Sequence, residues 1–201
     1  MFSIIQAAGW PIWPLLLTSI IAVALIIERA TALRHVKIVP PGLLASVIGD
    51  YRQSGVSEQT LQRLEDHSPL GRVFSAGLRN VKSSREVMKE AIEEAGRSAA
   101  HELEHFLTSL GTIASISPLM GLFGTVIGMI EIFGSPTASG NNPQILAHGI
   151  SVALYNTSFG LIIAIPSMIF YRHFRSKVDG LVIEMEQQAV KLVEVLHGER
   201  K

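Results

Sequence analysis

The sequence contains no cysteine in 201 residues, which excludes disulfides and thiolate metal sites. Basic residues are absent from two long tracts, 1–28 and 98–171, so all 17 Lys and Arg fall in residues 29–97 or 172–201. Charge as a whole is scarce, at 17% of residues against 48% hydrophobic, and it sums to zero. A soluble surface of mixed charge does not sort in this way, and the zero sum points to neither nucleic acid nor an acidic partner. No internal repeat or low-complexity tract is evident. Length alone is that of one domain.

What fills the tracts without basic residues is apolar. A membrane-spanning helix needs about 20 such residues. Residues 1–27 and 106–130 carry no charge, and neither do residues 132–171. The expectation is an all-α polytopic membrane protein with three spans, at 10–33, 107–134 and 148–173. A signal peptide is the other reading of the first run. It would need a basic start and a small-residue cleavage site, whereas this run has no early Lys or Arg and ends in Glu28-Arg29.

The basic bias sets the expected orientation. Most Lys and Arg lie between spans one and two, and none lies in "GSPTASGNNPQILAHG" between spans two and three. Residues 34–106 and the tail 174–201 are therefore expected to be cytoplasmic and helical. The N-terminus 1–9 and the loop 135–147 are expected to be periplasmic. Trp10 and Trp13 suit the outer interface, and Phe170, Tyr171 and Phe174 the inner one. Ser83 followed by Glu86 in "SSREVMKEAIEEAGR" has capping-box spacing, and Glu93 and Arg97 form an i,i+4 pair. No Gly or Pro separates this helix from span two, so one continuous rod is expected. The tail keeps apolar residues at helical spacing (Leu181, Met185, Val190, Leu192, Val193, Leu196) and is expected to continue span three.

Span two, "SPLMGLFGTVIGMIEIF", spends three glycines on one apolar stretch, each costing ~1 kcal/mol relative to alanine in a helix. In lipid, small residues four apart let helix backbones approach closely. Span two offers Gly111/Ser115, Ser117/Gly121 and Gly124/Gly128, and span three offers Gly160/Ala164 on the stripe Ala153, Thr157, Gly160, Ala164 and Ser167. Packing accounts for the glycines. It accounts less well for Thr125 and Thr157, each about eight residues inward from the outer end of its span, or roughly 12 Å deep. Two readings stand: the hydroxyls line a common polar seam, or each bonds back to its own helix at i−4. Asn156 is read as a helix–helix hydrogen-bonding residue or one that lines a proton path beside Thr157, Glu131 as an interfacial carboxylate or a proton entry, and His148 as a solvated interfacial side chain.

These two stretches, "SPLMGLFGTVIGMIEIF" and "HGISVALYNTSFGLIIAIPSMIFY", resemble the signature of the MotA/TolQ/ExbB proton-channel family, and the ExbB/TolQ branch in particular. The resemblance covers all three spans, the topology, the large cytoplasmic loop and the chain length. It implies a subunit of the bacterial inner membrane, a homo-pentamer with spans two and three around a central pore. It further implies a single-span partner of ExbD or TolR type that supplies a membrane aspartate, and a TonB- or TolA-like protein that receives the resulting motion. The pore threonines of the family fall on Thr125 and Thr157, and its helix-bending prolines on Pro118 and Pro166. Some members carry a span-three glutamate where Val152 stands here, so either Glu131 substitutes for it or the acid is dispensable. No catalytic group, cofactor or metal is implied. A MotA-type motor stator and a scaffold that conducts nothing are the alternatives, the first disfavoured because such proteins typically have four spans.

One enzyme motif competes. "HELEH" at residues 101–105 fits H-E-x-x-H, which places two histidines on one helical face to bind zinc. A third ligand is needed, and the next acid is Glu131; His173 on another helix is the remaining candidate. A hydrophilic turn at the cytoplasmic boundary is the plainer explanation.

Overall fold

The computed structural model describes residues 9–134 and 143–197. Most of the expected N-terminal segment and outer loop thus lie outside the described residues. Every described element is helical: α1 Ile12–Ala32, α2 His35–Ile38, α3 Leu43–Ser54, α4 Glu58–His67, α5 Pro69–Arg79, α6 Arg85–Glu104, α7 Leu107–Gly134 and α8 Pro143–Leu196. Three helical stretches are long and apolar enough to cross a membrane: Ile12–Ala32, one within Arg85–Ile130 and one within Gly149–Leu196. The chain forms two compact units, one of residues 1–29 and 106–173, the other of residues 30–105 and 174–201.

The first unit holds the spanning helices. α1 buries Ile12, Leu15 and Ala22 and leaves Trp13, Leu17, Ile20, Val23 and Ile27 exposed. An apolar face turned outward is what a hydrocarbon solvent permits. α8 is one uninterrupted helix of 54 residues, with Pro166 inside it, so the tail does continue span three.

The second unit is an ordinary amphipathic helix assembly. α5 packs on both α4 and α6, and Leu70, Phe74, Met88, Met185 and Leu192 are fully buried. Local signals fix the helix starts. Ser57 accepts from the Thr60 N–H at 3.2 Å, and Ser68, followed by Pro69, accepts from the Gly71 N–H at 3.0 Å. Arg79 reaches Glu58 and Glu65 at 3.3 and 3.0 Å. The Glu93–Arg97 pair is wide, at 3.8 Å, and both partners are exposed, so it adds little.

Two expectations are corrected here. The α6 N-cap is Ser84, not Ser83, and accepts from the Val87 N–H at 3.4 Å. Glu86 then sits one residue too early for a capping box and lies among the unpaired N–H groups of the first turn. The rod is also broken. α6 stops at Glu104, and Phe106 adopts a left-handed backbone, φ 63°, before α7 begins. For a bulky residue this conformation costs about 1–2 kcal/mol.

The Glu86 carboxyl is held below the usual carboxylate range by a backbone N–H, then by the Ser84 hydroxyl, with smaller help from Lys89 and Arg85. A lowered folded pKa stabilises above the unfolded value and loses that contribution as pH falls through the folded one. Comparing melting of the parent and Glu86→Gln should therefore show the parent ahead at about pH 7 and the gap narrowing as pH falls below about 4.3, the free glutamate value.

Candidate functional site

The sequence expectations converge on the contact between α7 and α8 in the first unit. A Cβ added at Gly160 would lie 2.6 Å from the Ser117 carbonyl oxygen and 3.1 Å from the Gly121 Cα. One at Gly121 would lie 2.8 Å from the Asn156 carbonyl oxygen and 3.0 Å from the Thr157 Cα. Real Cβ atoms do not approach backbone that closely, so these positions require glycine. At Gly124 the obstacle is the Asn156 side chain, 2.6 Å away at Cβ. Gly111 faces the Tyr171 ring at 3.1 Å. Gly128 differs, because its nearest neighbours, in Ala153 and Val152, are at an ordinary 3.6 Å. The seam thus runs antiparallel from Gly111/Tyr171, through Gly121/Gly160 and Gly124/Asn156, to Gly128/Ala153.

Pro118 and Pro166 stand inside helices α7 and α8. Each leaves the carbonyl four residues earlier without its usual donor. The neighbouring serines are buried and bond back to their own helices, Ser117 to the Ile113 carbonyl and Ser167 to the Ile163 carbonyl, both at 2.7 Å.

Asn156 is fully buried where the helices are closest, and its side-chain amide donates to the Val152 carbonyl at 3.1 Å. Thr125 bonds back as well, donating to the Leu122 carbonyl at 2.6 Å, three residues earlier rather than four. So do Thr112, Ser115, Ser151 and Ser158. Thr157 breaks the series. It is half-buried, at the edge of the seam beside Gly121, and its hydroxyl makes no hydrogen bond among the described residues. The two sequence readings therefore divide: back-bonding describes Thr125 and does not describe Thr157.

The side chain of Glu131 lies outside the described residues, as does that of His148. The Glu131 backbone continues α7 three residues after Gly128, and Gly128 faces Val152. Positions three apart are neighbours on a helix surface.

The H-E-x-x-H spacing does not form a helical pair. His101 is on α6, but His105 lies beyond its end with an extended ψ of 142°. The two glutamates serve other contacts: Glu102 accepts from Arg72 at 2.5 Å and Glu104 from Arg175 at 2.9 Å. Among the described residues no three metal-ligating side chains converge.

Residues that the sequence reading passed over also shape this unit. Arg29, at the end of α1, is 6% exposed, grips Glu28 in a fork at 2.5 and 2.6 Å, and places its guanidinium 5.3 Å from the Phe106 ring centre. A charge ending an apolar run was visible; its burial was not.

Residues 65–187 match the family model described as the MotA/TolQ/ExbB proton channel family. A Synechocystis protein named putative biopolymer transport protein ExbB-like 3 is 34% identical over 176 residues, covering 85% of this chain and 83% of its own. Biopolymer transport protein exbB1 of Vibrio cholerae is 31% identical, covering 81% of this chain and 74% of its own. The Tol-Pal system protein TolQ of Pseudomonas aeruginosa is 28% identical, over 98% of this chain and 92% of its own. The chain belongs to the MotA/TolQ/ExbB proton channel family, in its ExbB/TolQ branch.

The seam orders the glycines. Gly160→Ala and Gly121→Ala should each destabilise by roughly 1–3 kcal/mol, the usual range for overpacking. Gly128→Ala should be neutral, or up to ~1 kcal/mol stabilising through helix propensity. Thermal aggregation of the detergent-solubilised variants checks the order, and equal loss at all three positions would contradict it.

Proposed function

We propose that this chain is the inner-membrane proton-channel subunit of an ExbB/TolQ-type energiser, which uses the proton motive force to drive TonB- or Tol-dependent work at the outer membrane. The observation that carries the reading is Thr157, a half-buried hydroxyl at the α7–α8 contact that its own helix leaves unpaired. A hydroxyl in that condition is available to orient a water or bond an acid. It does not titrate in any accessible range, so it cannot carry the proton alone.

Spans two and three contain no acid between Leu107 and Ile130 or between Gly149 and Phe170. Ionisable groups in a membrane are costly enough to mark function. The titrating group is accordingly assigned to a partner, an ExbD/TolR-like single-span subunit with a membrane aspartate. Five copies of this chain surround it, with Thr157 and Thr125 facing the shared pore, the N-terminus periplasmic and the C-terminus cytoplasmic. Asn156 holds the α8 backbone against Gly124 beside the pore threonine. Glu131, on the next turn of α7 from Gly128, takes the place of the acid missing at Val152 and receives protons near the outer face. The available work is about 2.3 kcal/mol per proton per 100 mV.

Proton flux into liposomes tests this, with the chain reconstituted alone and beside its single-span partner. Flux should require both. Thr157→Val should reduce it about tenfold, the loss of a roughly 1.5 kcal/mol hydrogen bond to a charged group, while Thr157→Ser preserves it. Thr125→Val should cost less, since that hydroxyl is already engaged. Unchanged flux in Thr157→Val, or unchanged envelope function in cells, would favour a scaffold.

A further inference from the structure

The stretch "HELEHFLTSL" contains neither glycine nor proline, and nothing in it forbids a helix from running through. The chain nonetheless leaves the helix at His105. Phe106 is the one non-glycine residue with positive φ among the described residues; the others are Gly9, Gly42 and Gly55. An aromatic residue persists there only where its surroundings over-determine it.

The Arg29 guanidinium stands 5.3 Å from the Phe106 ring centre, inside the ~6 Å range of a cation–π contact. Arg29 is buried, and such contacts strengthen as the cation is desolvated. The fork to Glu28 orients the guanidinium plane. Arg29 and Phe106 belong to the same compact unit.

We propose that Arg29 is a clamp that holds Phe106 in its left-handed conformation and so sets where α7 begins. A left-handed residue interrupts the helical phase. The face on which each α7 residue lies, Gly121, Gly124 and Thr125 included, is counted from the new start at Leu107 and is not inherited from α6. Without the clamp, the local sequence carries α6 into α7 as one helix. This inference concerns the fold of the second span and stands whether or not the chain conducts protons.

Hydrogen exchange of the full-length protein tests it at the amides of Leu107, Thr108 and Ser109. These open α7, where a first turn lacks i−4 acceptors, so the parent should exchange them quickly. In a continuous helix they gain those acceptors. Arg29→Gln should slow their exchange about tenfold or more, because local opening would then be required. Phe106→Leu should do the same, as it removes the ring while keeping a side chain that disfavours positive φ. Arg29→Lys keeps a cation and should exchange like the parent. Arg29→Gln combined with Phe106→Gly should also return to fast exchange, since glycine holds the turn without help. Fast exchange in Arg29→Gln, with the α5 core amides still protected, overturns the proposal. If Arg29→Gln loses that core protection, Phe106→Leu decides, and fast exchange there overturns it equally.

Discussion

The first unit depends on the approach of α7 and α8 to backbone contact. Water cannot drive that approach in a bilayer, so it must come from shape. Gly121 and Gly160 remove the two Cβ atoms that would hold the backbones apart, and Gly124 makes room for Asn156. Once the helices touch there, Thr157 can only lie at the edge of the contact. The glycines that cost helix propensity one by one are what place the hydroxyl.

Much of this was legible in the sequence, because lipid imposes simple rules. Long uncharged runs must be helices, and small residues in them must be contacts. α7 occupies Leu107–Gly134, and the small residues of α8 meet those of α7. The family resemblance, carried by the same two stretches, is shown by relatives matching over most of the chain. The sequence did not separate Gly128 from Gly121, since equal spacing says nothing about the distance to a partner helix. Nor did it separate Thr125 from Thr157. Both sit on small-residue stripes, yet one rotates onto a local carbonyl and the other does not.

The expected rod fails at one place, the junction of α6 and α7. Local propensity runs continuously through it, which is why the sequence alone suggests a rod and lets the H-E-x-x-H spacing compete with the plainer reading of a hydrophilic turn. A tertiary contact overrides propensity there: Arg29 comes from a helix more than seventy residues earlier in the chain. The break carries His105 off the helix that holds His101, and Glu102 and Glu104 pair with arginines. The apparent zinc motif is a stretch of helix end. Ser84 replacing Ser83 as the cap is a smaller case, where two serines in a row offer the same chemistry and the helix takes the nearer one.

The seam itself can be tested without any functional assay, because the chain has no cysteine of its own. A Cβ at position 128 would lie 3.7 Å from the Ala153 Cβ, inside the roughly 3.5–4.5 Å range of disulfides. Gly128→Cys combined with Ala153→Cys, oxidised mildly in native membranes, should close a disulfide within one chain, and denaturing gels without reductant should show a shifted monomer. Leu122→Cys with Leu154→Cys, both on exposed faces, should give no such species. Failure of the 128–153 pair to close, or efficient closure of the 122–154 pair within a chain, would contradict the α7–α8 contact on which the placement of Thr157 rests.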